Sequence, residues 1–279
     1  MNRFPVVLVV AIAAMFLWAP ATPFAVGASI DFDNIADGTN LLGTTQGDFS
    51  FANGGKSGGI TVPPQELSAT GGVLKFADNT GNEGEWKLRL VNGIDLTDSG
   101  AAARVKFDWK TQQGYQGRAS ISMRPWYSVN TNYGAEDWIA NHHNMGLSDN
   151  GYWWIGGAAQ GSWDLTQTKY VTDNWYRSDI TITSNPDDND GDRGMVYAME
   201  LFDLDNGGAS LGTLNYTATG RATRDILTAI SFSSSSNANE VLLLDNISFN
   251  TVIPEPTSGL LVILGSLGLA ALRRRQGSC

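Results

Sequence analysis

Cysteine occurs once in this 279-residue chain, at the last position, Cys279, and histidine only twice, at His142 and His143. A single cysteine excludes a disulfide framework. Adjacent histidines diverge on a strand, so His142 and His143 do not chelate one metal together there. Basic residues are also few: 18 Lys and Arg stand against 28 Asp and Glu. That balance argues against nucleic acid and anionic lipid, both of which require surplus positive charge. It is compatible with neutral glycans and with divalent cations. Between residues 29 and 250 apolar residues at helical spacing are almost absent. The body is therefore not helical.

Long apolar runs occur only at the two ends. Arg3 precedes a charge-free stretch from Val6 to Ala19, followed by Pro20, Pro23 and the small-residue stretch Val26-Gly27-Ala28. A basic start, an apolar run too short to span a bilayer comfortably and small residues after it make a signal peptide. The expected leader is 1–28, with signal peptidase cutting after Ala28, and Ala19-Pro20-Ala21 as the second candidate. At the other end, Pro254-Glu255-Pro256 precedes a charge-free stretch, 257–272, closed by Arg273, Arg274 and Arg275. Such a stretch makes a short transmembrane helix with its arginines held on the cytoplasmic side. The expected organisation is a leader, a body of 29–250 and a tail of 251–279.

The order Pro-Glu-Pro, apolar helix, Arg cluster, chain end resembles the PEP-CTERM sorting signal of Gram-negative bacteria, often those that make exopolysaccharide. The resemblance covers only about the last 26 residues, and its specificity lies in the three parts occurring together at the terminus. It implies recognition and cutting of the tail by an integral-membrane exosortase. It also implies transient anchoring in the inner membrane, then delivery to the cell surface or extracellular matrix. Cys279 would leave with the tail.

The body holds about 225 residues, enough for one large domain with a real core. The ends take Arg3, Arg273, Arg274, Arg275 and Glu255 with them, leaving about 14 basic and about 27 acidic residues. Trp86, Leu88 and Leu90 alternate with Glu85, Lys87 and Arg89, and Val105, Phe107 and Trp109 alternate with Arg104, Lys106, Asp108 and Lys110. A period of two marks strands with one buried face. Further strands are expected at 73–76, 119–124, 152–155, 176–183, 195–202, 229–233 and 241–249, separated by Gly, Asn, Asp and Ser clusters. Residues 185–194 join two strongly alternating segments and read as a hairpin loop. Strands at this spacing predict an all-β, antiparallel β-sandwich of jelly-roll or concanavalin-A-like type.

The opening Ile30-Asp31-Phe32-Asp33-Asn34 and the closing Leu243-Leu244-Asp245-Asn246-Ile247-Ser248-Phe249 resemble the first and last strands of jelly-roll carbohydrate-binding modules and concanavalin-A-like sandwiches. The resemblance implies terminal strands lying close together, with Asp31, Asp33 and Asp245 around a structural calcium. Oxygen donors of this type suit Ca²⁺. The alternative is that these acids occupy turns and the solvent face. The loop Asp187-Asp188-Asn189-Asp190-Gly191-Asp192 superficially resembles an EF-hand. With Gly191 at the sixth loop position, Pro186 and Tyr197 fall at the first and twelfth, where neither side chain chelates.

Trp126, Trp138, Trp153, Trp154 and Trp163 lie in one polar stretch with His142 and His143, Asn130, Asn132, Asn141, Asn144 and Gln160. Sugars present flat C–H faces that stack on aromatic rings, with polar neighbours fixing orientation. These residues are the candidate glycan site; the competing reading is aromatic core. Adjacent Trp153 and Trp154 on a strand must face opposite ways. Catalysis is poorly supported. Sandwich β-glucanases carry Glu-x-Asp-x-x-Glu on one strand, and no such string occurs here. The expectation is a non-catalytic surface or matrix protein associated with polysaccharide. The alternatives are a purely structural surface protein and a glycan-active hydrolase or lyase.

Overall fold

The computed structural model describes residues 27–53, 66–78, 85–96, 101–112, 118–124, 143–147, 152–157, 163–185, 194–218, 226–234 and 240–252. The leader run, the sorting motif, the apolar tail and the Arg cluster lie outside these residues. Among the described residues every regular element is a strand, and no helix is long and apolar enough to cross a membrane.

Sixteen strands follow one another: β1 Gly27–Ile30, β2 Thr45–Gln46, β3 Phe49–Asn53, β4 Glu66–Thr70, β5 Val73–Asp78, β6 Glu85–Asp95, β7 Ala102–Gln112 and β8 Arg118–Arg124 in the first half. The second half holds β9 His143–Leu147, β10 Tyr152–Gly157, β11 Trp163–Lys169, β12 Trp175–Asn185, β13 Gly194–Asp203, β14 Ala209–Ala218, β15 Ile226–Ser233 and β16 Glu240–Val252. They form two sheets. Sheet A runs β14-β13-β12-β7-β16-β5-β4, with β1 also paired to β16; sheet B runs β11-β10-β9-β8-β15-β6-β3-β2. The pairings are antiparallel, as the alternating pattern requires.

The core lies between the sheets, built from the residues that alternation assigns to one face. Sheet A supplies Val105 and Phe107, Ile180 and Ile182, Tyr197 and Met199, Leu244 and Phe249; sheet B supplies Phe49, Phe51, Trp86, Leu88, Ile230 and Phe232. Trp86 stacks on Phe232 at 5.1 Å and on Phe51 at 6.0 Å, and Phe76 of sheet A reaches it at 6.5 Å. Phe107 meets Phe232 edge to face at 5.4 Å, which ties the two sheets together. Each such ring pair is worth about 0.5–1.5 kcal/mol beyond area burial.

One side of the sandwich is sealed by a crossing segment. The Gly38 amide donates to Ala69 O at 2.8 Å and the Leu41 amide to Leu67 O at 2.9 Å, so the chain first lies along the edge of β4. The Gly43 amide then donates to Phe51 O at 2.7 Å, and β2 joins β3. An edge that would otherwise offer unpaired backbone groups is thus covered.

The terminal strands do meet: Gly27 to Ile30 pair with Asn250 to Ile247. The first strand, however, is Gly27–Ile30 and not a strand continuing through Asn34. After Ile30 the chain turns, with the Ile35 amide donating to Phe32 O at 3.1 Å, because Phe32 is drawn wholly into the core against Phe51. The hairpin expected at 185–194 is present, with Asn185 opposite Gly194 in the β12–β13 register.

Candidate functional site

Two regions bear on function: the far edge of sheet B, where β10 and β11 carry part of the aromatic segment, and the β1–β16 pairing near Asp245 in the middle of β16. At the first, register relates the strands. Trp86 opposes Phe232, Phe232 opposes Ala119, Ala119 opposes Met145 and Met145 opposes Ile155. Trp86 and Phe232, at the β6 and β15 end of this row, are buried. His143 is paired with Ile121, and Trp153 with Leu147.

Trp154 pairs with Gly146 on β9 and Leu165 on β11, while Trp163 pairs with Gly156. The row of paired residues through Gly156 continues by Asn144, Ser120 and Ser231 to Lys87, and Ser231 and Lys87 are both buried. Of the other expected residues, Trp126, Trp138 and His142 lie outside the described residues.

The second region is built by the β1–β16 pairing. Ile30 opposes Ile247, so Asp31 follows directly beside the Asp245–Asn246 kink, where the β16–β7 register shifts. Asn246 takes a positive φ of 49°, a conformation asparagine tolerates better than most residues. Asp33 packs toward the β4–β5 turn, where a Cβ on Gly72 would come within 2.7 Å of its Oδ1. Asp245 feels Asp108, Asp33 and Asp31 together. Burial first, then these like charges, push its carboxyl above the ordinary range, against a hydrogen bond from the Asn246 amide. Among the described residues no three Asp, Glu, His or Cys side chains are gathered closely enough to form a ready metal cage.

Asp108, which lies directly opposite Asp245, was assigned in the sequence only to the polar face of its strand. It is nearly buried and compensated: Arg177 donates from Nε at 2.6 Å and from Nη2 at 2.8 Å, and Asn246 Nδ2 at 3.0 Å. A second pair follows on the same outer face of sheet A, with Arg104 donating to Asp179 through Nε and Nη2, both at 2.6 Å. Both carboxylates are thus committed to arginines.

Two features bear on catalysis. Asp78 and Glu240 oppose each other in the β5–β16 register, and the Ser234 hydroxyl donates to Asp78 Oδ2 at 2.6 Å. Both carboxyls are fully buried, so no glycosidic oxygen reaches them in this state. The string Gly55-Lys56-Ser57-Gly58-Gly59 has the spacing of a nucleophile elbow, which needs a strand-to-helix turn. It lies outside the described residues.

No protein-family model and no curated protein matches the chain. Solved structures do. A protein of unknown function from Shewanella oneidensis MR-1 is 16% identical, covers 81% of this chain and 85% of its own, and has a TM-score of 0.51. The likeness is one of fold. Two further structures, with TM-scores of 0.48, are the lectin UEA-II complexed with galactose and a CBM2 module of the evolved Dit of Lactobacillus casei BL23 phage J-1. They are 12% and 13% identical, cover 81% and 82% of this chain, and are themselves covered over 99% and 98%.

Proposed function

We propose that this chain is an exported, exosortase-processed surface or matrix protein whose β-sandwich associates with polysaccharide without turning it over. The observation that carries the ligand reading is the pairing of β9–β11, which brings the strand that holds Trp153 and Trp154 beside the strand that holds Trp163. Aromatic rings can stack on the flat C–H faces of sugars, and Asn144 and Ser120 on the neighbouring strands are polar types that suit hydroxyls. Stacking on an exposed ring contributes on the order of 1 kcal/mol, so a single domain should bind weakly and gain from many copies on a surface. In the same reading, a calcium ion between Asp31, Asp33 and Asp245 serves stability, since it would offset the repulsion that Asp245 feels.

Retention of the protein on a panel of insoluble glycans tests this directly. Among Trp153→Ala, Trp154→Ala and Trp163→Ala, a variant that removes a stacking ring should lose glycan retention and keep the melting temperature, whereas one that removes a core ring should cost roughly 3–5 kcal/mol of stability. A purely structural surface protein is the second reading, favoured by the burial of Lys87 and Ser231 on the face of sheet B opposite to that of Trp86 and Phe232. Loss of stability in all three variants, with no glycan retained by the native protein, would establish it instead.

A further inference from the structure

A leader cut after Ala28 would pass through the middle of a strand. Gly27, Ala28, Ser29 and Ile30 oppose Asn250, Phe249, Ser248 and Ile247 in one unbroken antiparallel register. Ala28 and Ile30 pack against the core, and Gly27 and Ser29 alternate with them on the exposed side. That is the period of a strand belonging to the folded body. Position 27 is fitted as closely as the rest, because a Cβ there would collide with Asn250 Oδ1. Removing residues through Ala28 would delete half of β1, its apolar contact and the backbone partners it gives to the end of β16. It would also leave a charged amine on a two-residue remnant.

The peptidase acts on an unfolded chain at the membrane, so the finished fold does not shield Ala28 from it. What the fold determines is the consequence: a chain cut there carries a damaged sheet edge, and a chain cut upstream does not. Upstream, Ala19 and Ala21 supply the two small residues of an Ala-x-Ala site immediately after the apolar run that ends at Ala19. Thr22 to Val26 then separates the cut from the first strand.

We propose that signal peptidase cuts after Ala21, at Ala19-Pro20-Ala21, and that Gly27–Ile30 is a permanent strand of the mature domain. This rests on the export reading given above. The test is the first residue of the full-length gene product, expressed with both of its own ends in a Gram-negative host and recovered from outside the cytoplasm. N-terminal sequencing should read Thr22. Any other exported start, Ser29 above all, overturns the proposal while leaving export intact. A chain still beginning at Met1 in the cytoplasmic fraction overturns the export reading itself, so the two failures are distinguishable. A second measurement separates the sites. Ala21→Phe should abolish the Thr22 start, whereas Ala28→Phe should leave it unchanged by intact mass, whatever it does to the strand. The reverse pattern sinks the proposal.

Discussion

Asp245 sits where two demands on a carboxylate conflict. The fold half-buries it and surrounds it with Asp108, Asp33 and Asp31, and both effects disfavour its charge. Asp108 is paired with Arg177, whereas Asp245 accepts from the Asn246 amide and side chain. The sign of the pH effect follows. A carboxyl whose folded pKa is raised carries no penalty below its unfolded value of 3.8. The penalty grows as pH climbs through the raised value and is full above it. In EDTA, Asp245→Asn should therefore melt above the native protein at pH 7, with the gap closing toward pH 4. A bound cation reverses this, because the native protein then gains about 2.7 kcal/mol at a hundredfold excess over Kd. For a domain of this size that is several degrees. Melting curves at pH 7 with EDTA and with millimolar calcium decide the matter: a variant that melts higher in both leaves the ion with no role.

At the scale of elements, β6 shows how one glycine sets a register. Ile226 to Leu227 oppose Asp95 to Ile94, yet from Ala229 onward the partner is Arg89, so β6 carries extra residues in between. Gly93 lies in that irregular stretch. A Cβ there would come within 2.5 Å of Ile226 Cγ2 and 3.0 Å of Leu227 O, and the second neighbour is backbone that cannot rotate away. Gly93→Ala should destabilise by about 1–3 kcal/mol, the usual cost of overpacking. A denaturant midpoint equal to that of the native protein would show that the bulge relaxes freely. The same elements show what was legible in advance. β6, β7, β12 and β13 are central and buried on one face, so their alternation is written plainly in the sequence. β2, β3, β4, β9, β11 and β14 are short, polar or at sheet margins, so alternation does not predict them, although Leu67 of β4 and Leu214 and Tyr216 of β14 reach the core. The site was less legible still. That Trp153 and Trp154 face opposite ways follows from strand period alone. That β9 reaches β15 through β8, or that Asp108 joins Asp245, depends on pairings between distant segments that local patterning does not encode.

At the scale of the molecule, both chain ends emerge from one part of sheet A. Gly27 opens β1 opposite Asn250, and β16 ends at Val252, still paired with Ala102. Only Ile253 separates that last paired residue from Pro254. In the proposed processing, a protease reading Pro254-Glu255-Pro256 would work within a few residues of the last described strand. The β12–β7 pair of sheet A carries Arg104, Lys106 and Arg177 in ion pairs with Asp179 and Asp108. In the proposed function, attachment resides in the tail alone. Replacing Pro254, Glu255 and Pro256 with alanines should leave the tail uncut and the protein in the inner-membrane fraction, while the melting transition of the sandwich stays where it was. Fractionation and intact mass read the first effect, and calorimetry the second. If the alanine variant reaches the surface with its tail removed, the motif is not the sorting determinant, and the nearness of Pro254 to the end of β16 has no bearing on processing.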